Sequence, residues 1–310
     1  MISEAELIVD RRKLRRRVTF WRILAVLLAI ATVAALAWSQ GWTLGNQIAR
    51  VRIDGLITGD QRTMDLLKQV AEEDRIKAVI LRIDSPGGTT AGSEAVYDAV
   101  RRISAKKPVV AVMDTVAASG GYITALAADR IVARGNTITG SIGVIFSMPE
   151  FSKLLDTIGV QVEELKSGDL KAEPSPYKPM SEKARAASME LVNDGFVWFK
   201  GLVAERRQLP MPTVDVLSDG RVYTGRQAVA NKLIDALGDE GTAVDWLEKD
   251  KGVTANLPVR DWKRDGSGEG TGLGFAAADV VLKSLGLQGL QEATDRARLD
   301  GLLVLWHPAQ

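Results

Sequence analysis

The chain is 310 residues long, 46% hydrophobic and 25% charged, enough for a buried core and too apolar for disorder. Its net charge is +1, so no global basic field points to nucleic acid. It has no cysteine and one histidine, His307, which excludes disulfides, thiolate metal sites and multi-histidine metal sites. A Ser-His-Asp triad would depend on that single late histidine, so a hydrolase built on this chain needs another base.

The balanced charge hides an asymmetry. Residues 1–22 carry seven basic and three acidic side chains, a net of +4, which leaves −3 for the rest. No charged residue occurs from Ile23 to Ala49. The strongly apolar part, Val18 to Trp38, would span roughly 30 Å as a helix, the thickness of a bilayer's hydrocarbon core. Trp21 and Trp38 stand at its ends, as interfacial aromatics do. The basic cluster Arg11–Arg17 places the N-terminus in the cytoplasm, with the rest of the chain outside it. We therefore expect a cytoplasmic basic segment at 1–17 and a transmembrane anchor at 18–40. A cleaved signal peptide, with Ala35-Leu36-Ala37 as the cleavage site, is the rival reading. A buried soluble helix would need a polar face, and none interrupts the run.

Beyond the anchor, Gln47–Asp54 alternates like a strand, and Asp60–Asp74 has helical spacing with Met64, Leu67 and Val70 on one face. Lys77–Asp84 (KAVILRID) and Pro108–Met113 (PVVAVM) are near-continuous apolar runs, as in parallel strands covered on both faces. Ala91–Ile103 and Gly120–Ala128 read as helices and Arg130–Ala133 as a short strand. This order of strands and helices predicts an α/β fold with a mostly parallel sheet. Ser181–Gln208 reads as a long helix, and 221–250 as a short strand and two helices. Glycine at every second position from Gly266 to Gly274 reads as a linker, drawn from 251 to 274. The apolar tail, 275–310, is expected to be helical and to dock on the body or a neighbour.

Each core strand is expected to run into a glycine-rich turn, Ser85-Pro86-Gly87-Gly88 after the first and Ser119-Gly120-Gly121-Tyr122 after the second. In α/β sheets, sites form beyond the carboxyl ends of strands, and glycines let backbone N–H groups face a ligand closely. Such N–H groups can form an oxyanion hole. Ser119 opens a helix, where an alkoxide is favoured; it could equally be a plain N-cap. A serine nucleophile needs a base, here a lysine or a carboxylate, and a lysine serves only when desolvation keeps it neutral. Spacing alone does not separate Lys171 from Lys166 or Lys178.

The string Asp114–Tyr122 (DTVAASGGY), followed by Thr139-Gly140-Ser141-Ile142-Gly143 and Ser167-Gly168-Asp169-Leu170-Lys171, resembles the signal peptide peptidase A family of bacterial membrane serine proteases. Asp84–Gly88 (DSPGG), Gly220–Gly225 (GRVYTG) and the single anchor fit it too. The resemblance covers roughly residues 45–250. It implies a Clp/crotonase-like fold of stacked βαβ units. It implies Ser119 as nucleophile, Lys171 as general base and Ser141 as the residue orienting that lysine. Gly87 or Gly88, with Gly120, would donate to the oxyanion. It implies no metal and no cofactor. It also implies a ring-like homo-oligomer, an octamer, in which one subunit's lysine reaches the next subunit's serine. The substrates would be remnant signal peptides or other membrane or misfolded polypeptides, cut at the outer face of a bacterial inner membrane. Asp169 and Glu173 flank Lys171 and must point away from its amine, since a close carboxylate would keep it charged.

A crotonase-like acyl-CoA enzyme could share the fold and the oxyanion turns; the anchor and the Ser119–Lys171 pair speak against it. An inactive membrane-anchored scaffold would have no need of Ser119, Ser141, Lys171 and the glycines. A Clp-like Ser-His-Asp protease conflicts with the missing internal histidine.

Overall fold

An apolar run such as Lys77–Asp84 is stable as a strand only when both of its faces are covered. The computed structural model, which describes residues 17–32, 45–263 and the backbone of 302–305, shows how that happens here. The chain forms two compact units, Met1–Gly45 and Asn46–Gln310. In the first, residues 17–32 form helix α1, with large apolar side chains such as Phe20, Trp21, Leu27 and Ile30 exposed. Among the described residues no helix is long and apolar enough to cross a membrane. The rest of the expected anchor, the Ala35–Ala37 cleavage alternative and the basic segment 1–16 lie outside the described residues.

In the second unit β1 (Gln47–Ile57), α2 (Gln61–Glu72), β2 (Ile76–Thr89), α3 (Thr90–Ser104), β3 (Val109–Ala118), α4 (Gly120–Leu126) and β4 (Arg130–Ala133) follow one another. β1, β2, β3 and β4 are paired in parallel, as the apolar runs predict. Side chains of β2 alternate between two cores. Val79, Leu81 and Ile83 face one with Val96, Tyr122 and Phe199, while Ala78 and Ile80 face a smaller one with Trp246 and Leu247.

Several boundaries differ from expectation. β2 does not stop at Asp84 for a turn; it stays extended through Ser85-Pro86-Gly87-Gly88 to Thr89, because Leu56 and Ile57 of a longer β1 keep pairing with Gly87 and Gly88. Likewise β3 runs on to Ala118 because Val116–Ala118 pair with β5 (Ile138–Gly140). β6 (Ile145–Phe146), α5 (Ser152–Thr157), α6 (Glu182–Arg207) and α7 (Met211–Leu217) come next. They are followed by β7 (Val222–Thr224), α8 (Gly225–Ala230), β8 (Ala236–Leu237) and α9 (Glu240–Lys249). β5, β6, α5 and α7 are too short to leave a periodic pattern.

The linker drawn from 251 needs correction. Val259–Trp262 form β9, parallel to β1, and Arg50 of β1 pairs with Asp261 at 2.7 Å and with Glu240. The expected helical tail needs one too. Leu302–Leu305 form a strand, β10, antiparallel to both β2 and β6. The glycine-rich linker 266–274 and most of the tail lie outside the described residues.

Phe199 of α6 is fully buried in the larger core, whereas Val197 is largely exposed. Phe199→Ala is expected to lower unfolding stability by about 3–5 kcal/mol, against within about 0.5 kcal/mol for Val197→Ala. Urea denaturation of both variants checks this.

Candidate active site

β2 and β3 pair in parallel as far as Ser85 and Ala117, then separate. Asp84 fastens them at that point: its carboxylate accepts from the Val116 N–H at 3.0 Å. Beyond it, Thr139 Oγ1 donates to the Ala117 carbonyl at 2.7 Å and holds β3 against β5.

Ser119 is the single residue between β3 and α4. Its backbone lies at φ 55°, ψ −116°, a region that costs a side-chain-bearing residue of order 1–3 kcal/mol. Its neighbours hold it there. The Ser119 N–H donates to the Gly140 carbonyl at 2.8 Å, and its carbonyl accepts from the Ile123 N–H at 2.9 Å. Its Oγ is buried without a hydrogen-bond partner and caps nothing in α4. By contrast, Asp60, Thr89 and Ser181 each cap the helix they precede. The plain N-cap reading of Ser119 therefore fails.

The glycines expected around the oxyanion are brought to this turn. A Cβ on Gly120 would stand 3.1 Å from the Gly88 nitrogen and 3.2 Å from the Gly87 Cα, and one on Gly121 would stand 2.7 Å from the Ser85 carbonyl oxygen. Only glycine permits that approach. The Gly87 N–H donates to Ser85 Oγ at 3.1 Å. Ser93 is a residue that sequence reasoning missed. It is fully buried on α3, its Oγ has no partner, and it would lie 2.3 Å from a Gly120 Cβ. The only sequence signal was its place one turn into the helix that follows Gly88.

Ser141 follows Gly140 with φ 51°, nearly buried, and its N–H donates to the Arg221 carbonyl at 2.8 Å. The GRVYTG string acts here as a buttress. β7 pairs antiparallel with β5, and the Tyr223 ring lies 2.6 Å from where a Gly140 Cβ would stand. Tyr122, the last residue of the ASGGY string, is a core strut: its buried hydroxyl donates to the Leu233 carbonyl at 2.8 Å, and burial pushes its pKa up.

Lys171 is exposed, and no hydrogen bond joins it to Ser119 within the chain. The carboxylates beside it are engaged elsewhere. Asp169 accepts from Lys183 at 2.8 Å. Glu173 is nearly buried and pairs with Lys166 at 2.8 Å and with Lys178. The hydrogen bond from Lys166, then that from Lys178, lowers the Glu173 pKa from 4.5 to about 2.

With this geometry the comparisons with known proteins can be read. Residues 101–254 match peptidase family S49, and residues 57–139 match the Clp protease family. An Enterococcus faecium protein named as a signal peptide peptidase SppA is 35% identical over 263 residues, 80% of this chain and 74% of that protein. A Synechocystis protein named as a protease is 35% identical over 68% of this chain and 76% of its own. The chloroplastic serine protease SPPA of Arabidopsis thaliana is 32% identical over 86% of this chain and 42% of its own, longer one. The chain belongs to the signal peptide peptidase A family. As a member it is a serine protease of the S49 type with a Clp-like α/β fold and a mostly parallel sheet.

Two outcomes test the local physics. Ser119→Gly is expected to be about 1 kcal/mol more stable than Ser119→Ala, because glycine relieves the positive φ; matched thermal melts decide. The depressed Glu173 pKa stabilises the lysine loop fully above the ordinary carboxylate range, and that support is lost as pH falls toward 2. Amide exchange over residues 164–178, corrected for intrinsic rates, should lose protection below about pH 4.5. Glu173→Gln should show the low protection already at pH 7.

Proposed function

We propose that this chain is a membrane-anchored endopeptidase of remnant signal peptides, with Ser119 as nucleophile and Lys171 as general base. The observation that carries the reading is the Ser119 hydroxyl, buried, unpaired and held on strained backbone beside Gly88 and Gly120. Neutral Lys171 takes the Oγ proton. The Oγ lone pair bonds to the scissile carbonyl carbon, and the C=O pair moves to oxygen. The N–H groups of Gly88 and Gly120 hold that oxyanion, each worth about 3 kcal/mol. The lysine ammonium then protonates the amide nitrogen as the C–N bond breaks. Water, deprotonated by the same lysine, hydrolyses the ester and returns Ser119. Ser141, beside Gly140, orients the amine.

Lys171 is exposed in the single chain, so the desolvation that a lysine base needs must come from assembly. A second copy, in an octameric ring, supplies Lys171 to Ser119. The segment between β6 and Lys171 supports this: Ile145, Phe151, Leu154, Ile158 and Leu165 are all exposed, apolar side chains that a second copy would cover. The anchor reading rests on the uncharged run 23–49 and on α1, whose apolar side chains are exposed. It puts the protease domain on the outer face of the inner membrane, where signal peptides are left behind.

Ser119→Ala and Lys171→Ala are each expected to abolish cleavage of fluorogenic peptides with Leu before the scissile bond. A 1:1 mixture of the two should recover part of the activity, because some sites then combine an intact serine with an intact lysine. Full activity in Lys171→Ala would overturn the assignment of the base. A mixture that stays inactive, despite verified subunit exchange, would overturn the shared dyad.

A further inference from the structure

We infer that the sheet face carrying the smaller core ends, at the strand tips, in a binding site for a small polyanion, a ligand with two or more phosphate or carboxylate groups held by Arg52 and Arg134.

Strand alternation decides which side chains reach this face. Ala78 and Ile80 of β2 face the smaller core, so Arg82 and Asp84 continue the same face beyond it. On β1, Ile48 takes that face, and Arg50 and Arg52 follow at the same period. On β3, Val110 and Val112 are followed by Asp114, and Arg134 comes directly after β4. The apolar face thus turns polar along one row. A cavity of about 480 Å³ opens over that row, and Arg52, Arg82, Asp84, Asp114, Arg134 and Asn136 line it.

The acceptors in this lining are engaged. Arg82 holds the Asp114 carboxylate with both arms, Nε donating to Oδ2 at 3.0 Å and Nη2 donating to Oδ1. Asp84 accepts from the Val116 N–H. Asn136 Oδ1 accepts from Arg226, which leaves the amide NH2 to donate. The cations are not matched in the same way. Arg52 and Arg134 are exposed, and among the described residues no hydrogen bond or ion pair engages either guanidinium. Arg52 also stands opposite Arg82 in the β1–β2 register, a like-charge pair that disfavours itself, and only Arg82 has a counter-ion. A cavity with spare donors and engaged acceptors takes a ligand made of acceptors. The guanidinium fork matches the paired oxygens of phosphate and carboxylate. β1 and β4 lie three strand spacings apart, about 14 Å, so a ligand with two anionic ends meets both arginines more readily than a single ion.

The test uses the full chain in detergent micelles at constant ionic strength, with inorganic tripolyphosphate and glutarate as probes and isothermal titration calorimetry as the readout. We expect saturable binding of one probe per chain. Arg52→Gln and Arg134→Gln should each weaken it at least tenfold. Arg102→Gln, which removes the same charge from an exposed position on α3, should leave it within about twofold. Arg52→Lys keeps the charge and loses the fork, and should weaken binding about threefold or more. Tighter binding of tripolyphosphate assigns a phosphate ligand, and tighter binding of glutarate a dicarboxylate. No saturable heat with either probe, or an equal loss in Arg102→Gln, would overturn the inference. If circular dichroism shows that the Gln variants are misfolded, Arg52→Lys decides. Absence of probe binding together with a changed oligomeric mass in Arg52→Gln would also overturn it, and would give the cavity to a carboxylate of a second copy.

Discussion

The architecture of the site turns on one geometric event, the parting of β2 and β3 after Ser85 and Ala117. While the strands run together, their side chains fill two cores, one on each face of the sheet. Once they part, β3 is drawn to β5 and delivers Ser119, while β2 keeps to β1 and delivers Gly87–Thr89. The proposed nucleophile and oxyanion donor thus come from two strands that share a paired base and separate only at their tips. The close contact of Gly120 with Gly88 closes the gap from the α4 side. A side chain at Gly120 would push the two tips apart, and one at Gly88 would run into the Ile57 backbone of β1.

The electrostatics around Lys171 follow a matching logic. A loop carrying Lys166, Lys171 and Lys178 beside Glu164, Asp169 and Glu173 could pair in many ways. Here Glu173 takes Lys166 and Lys178, Glu164 takes Lys166 at 2.8 Å, and Asp169 takes Lys183. The carboxylates that flank Lys171 in sequence are committed to other cations. What remains near its amine is decided by whatever covers the loop, not by the loop itself.

Much of this was legible in the sequence, for definite reasons. The parallel core strands show because burial on both faces forces continuous apolar runs, as in KAVILRID. The long helix α6 shows because its start, capped by Ser181, leaves a local signature. The approach of Ser119 and Gly120 to Gly88 was legible because sites form beyond the carboxyl ends of neighbouring parallel strands, whereas Ser141 was reachable only through resemblance. Other features could not be read. The extended conformation of Ser85–Gly88 looks like a turn because serine, proline and glycine are turn residues, and only pairing with β1 overrides them. β9 and β10 were missed because a four-residue strand beside a glycine-rich segment carries no periodicity. Ser93 was missed because a buried serine in a helix looks like any small packing residue.

The Asp84 carboxylate bonded to the Val116 N–H sits just where the two strands begin to diverge. It works as a pivot pin. A displacement of β3 at that height is passed to β2 through this hydrogen bond and the adjoining Ser85–Ala117 pairing before it can reach either tip. Ser119 and the Gly87–Gly88 backbone, as proposed nucleophile and oxyanion donor, would therefore shift together, keeping their mutual spacing while their distance to a guest changes. Tolerance to substrates of different bulk, in such a device, comes from moving the reactive pair as one body rather than from reshaping it.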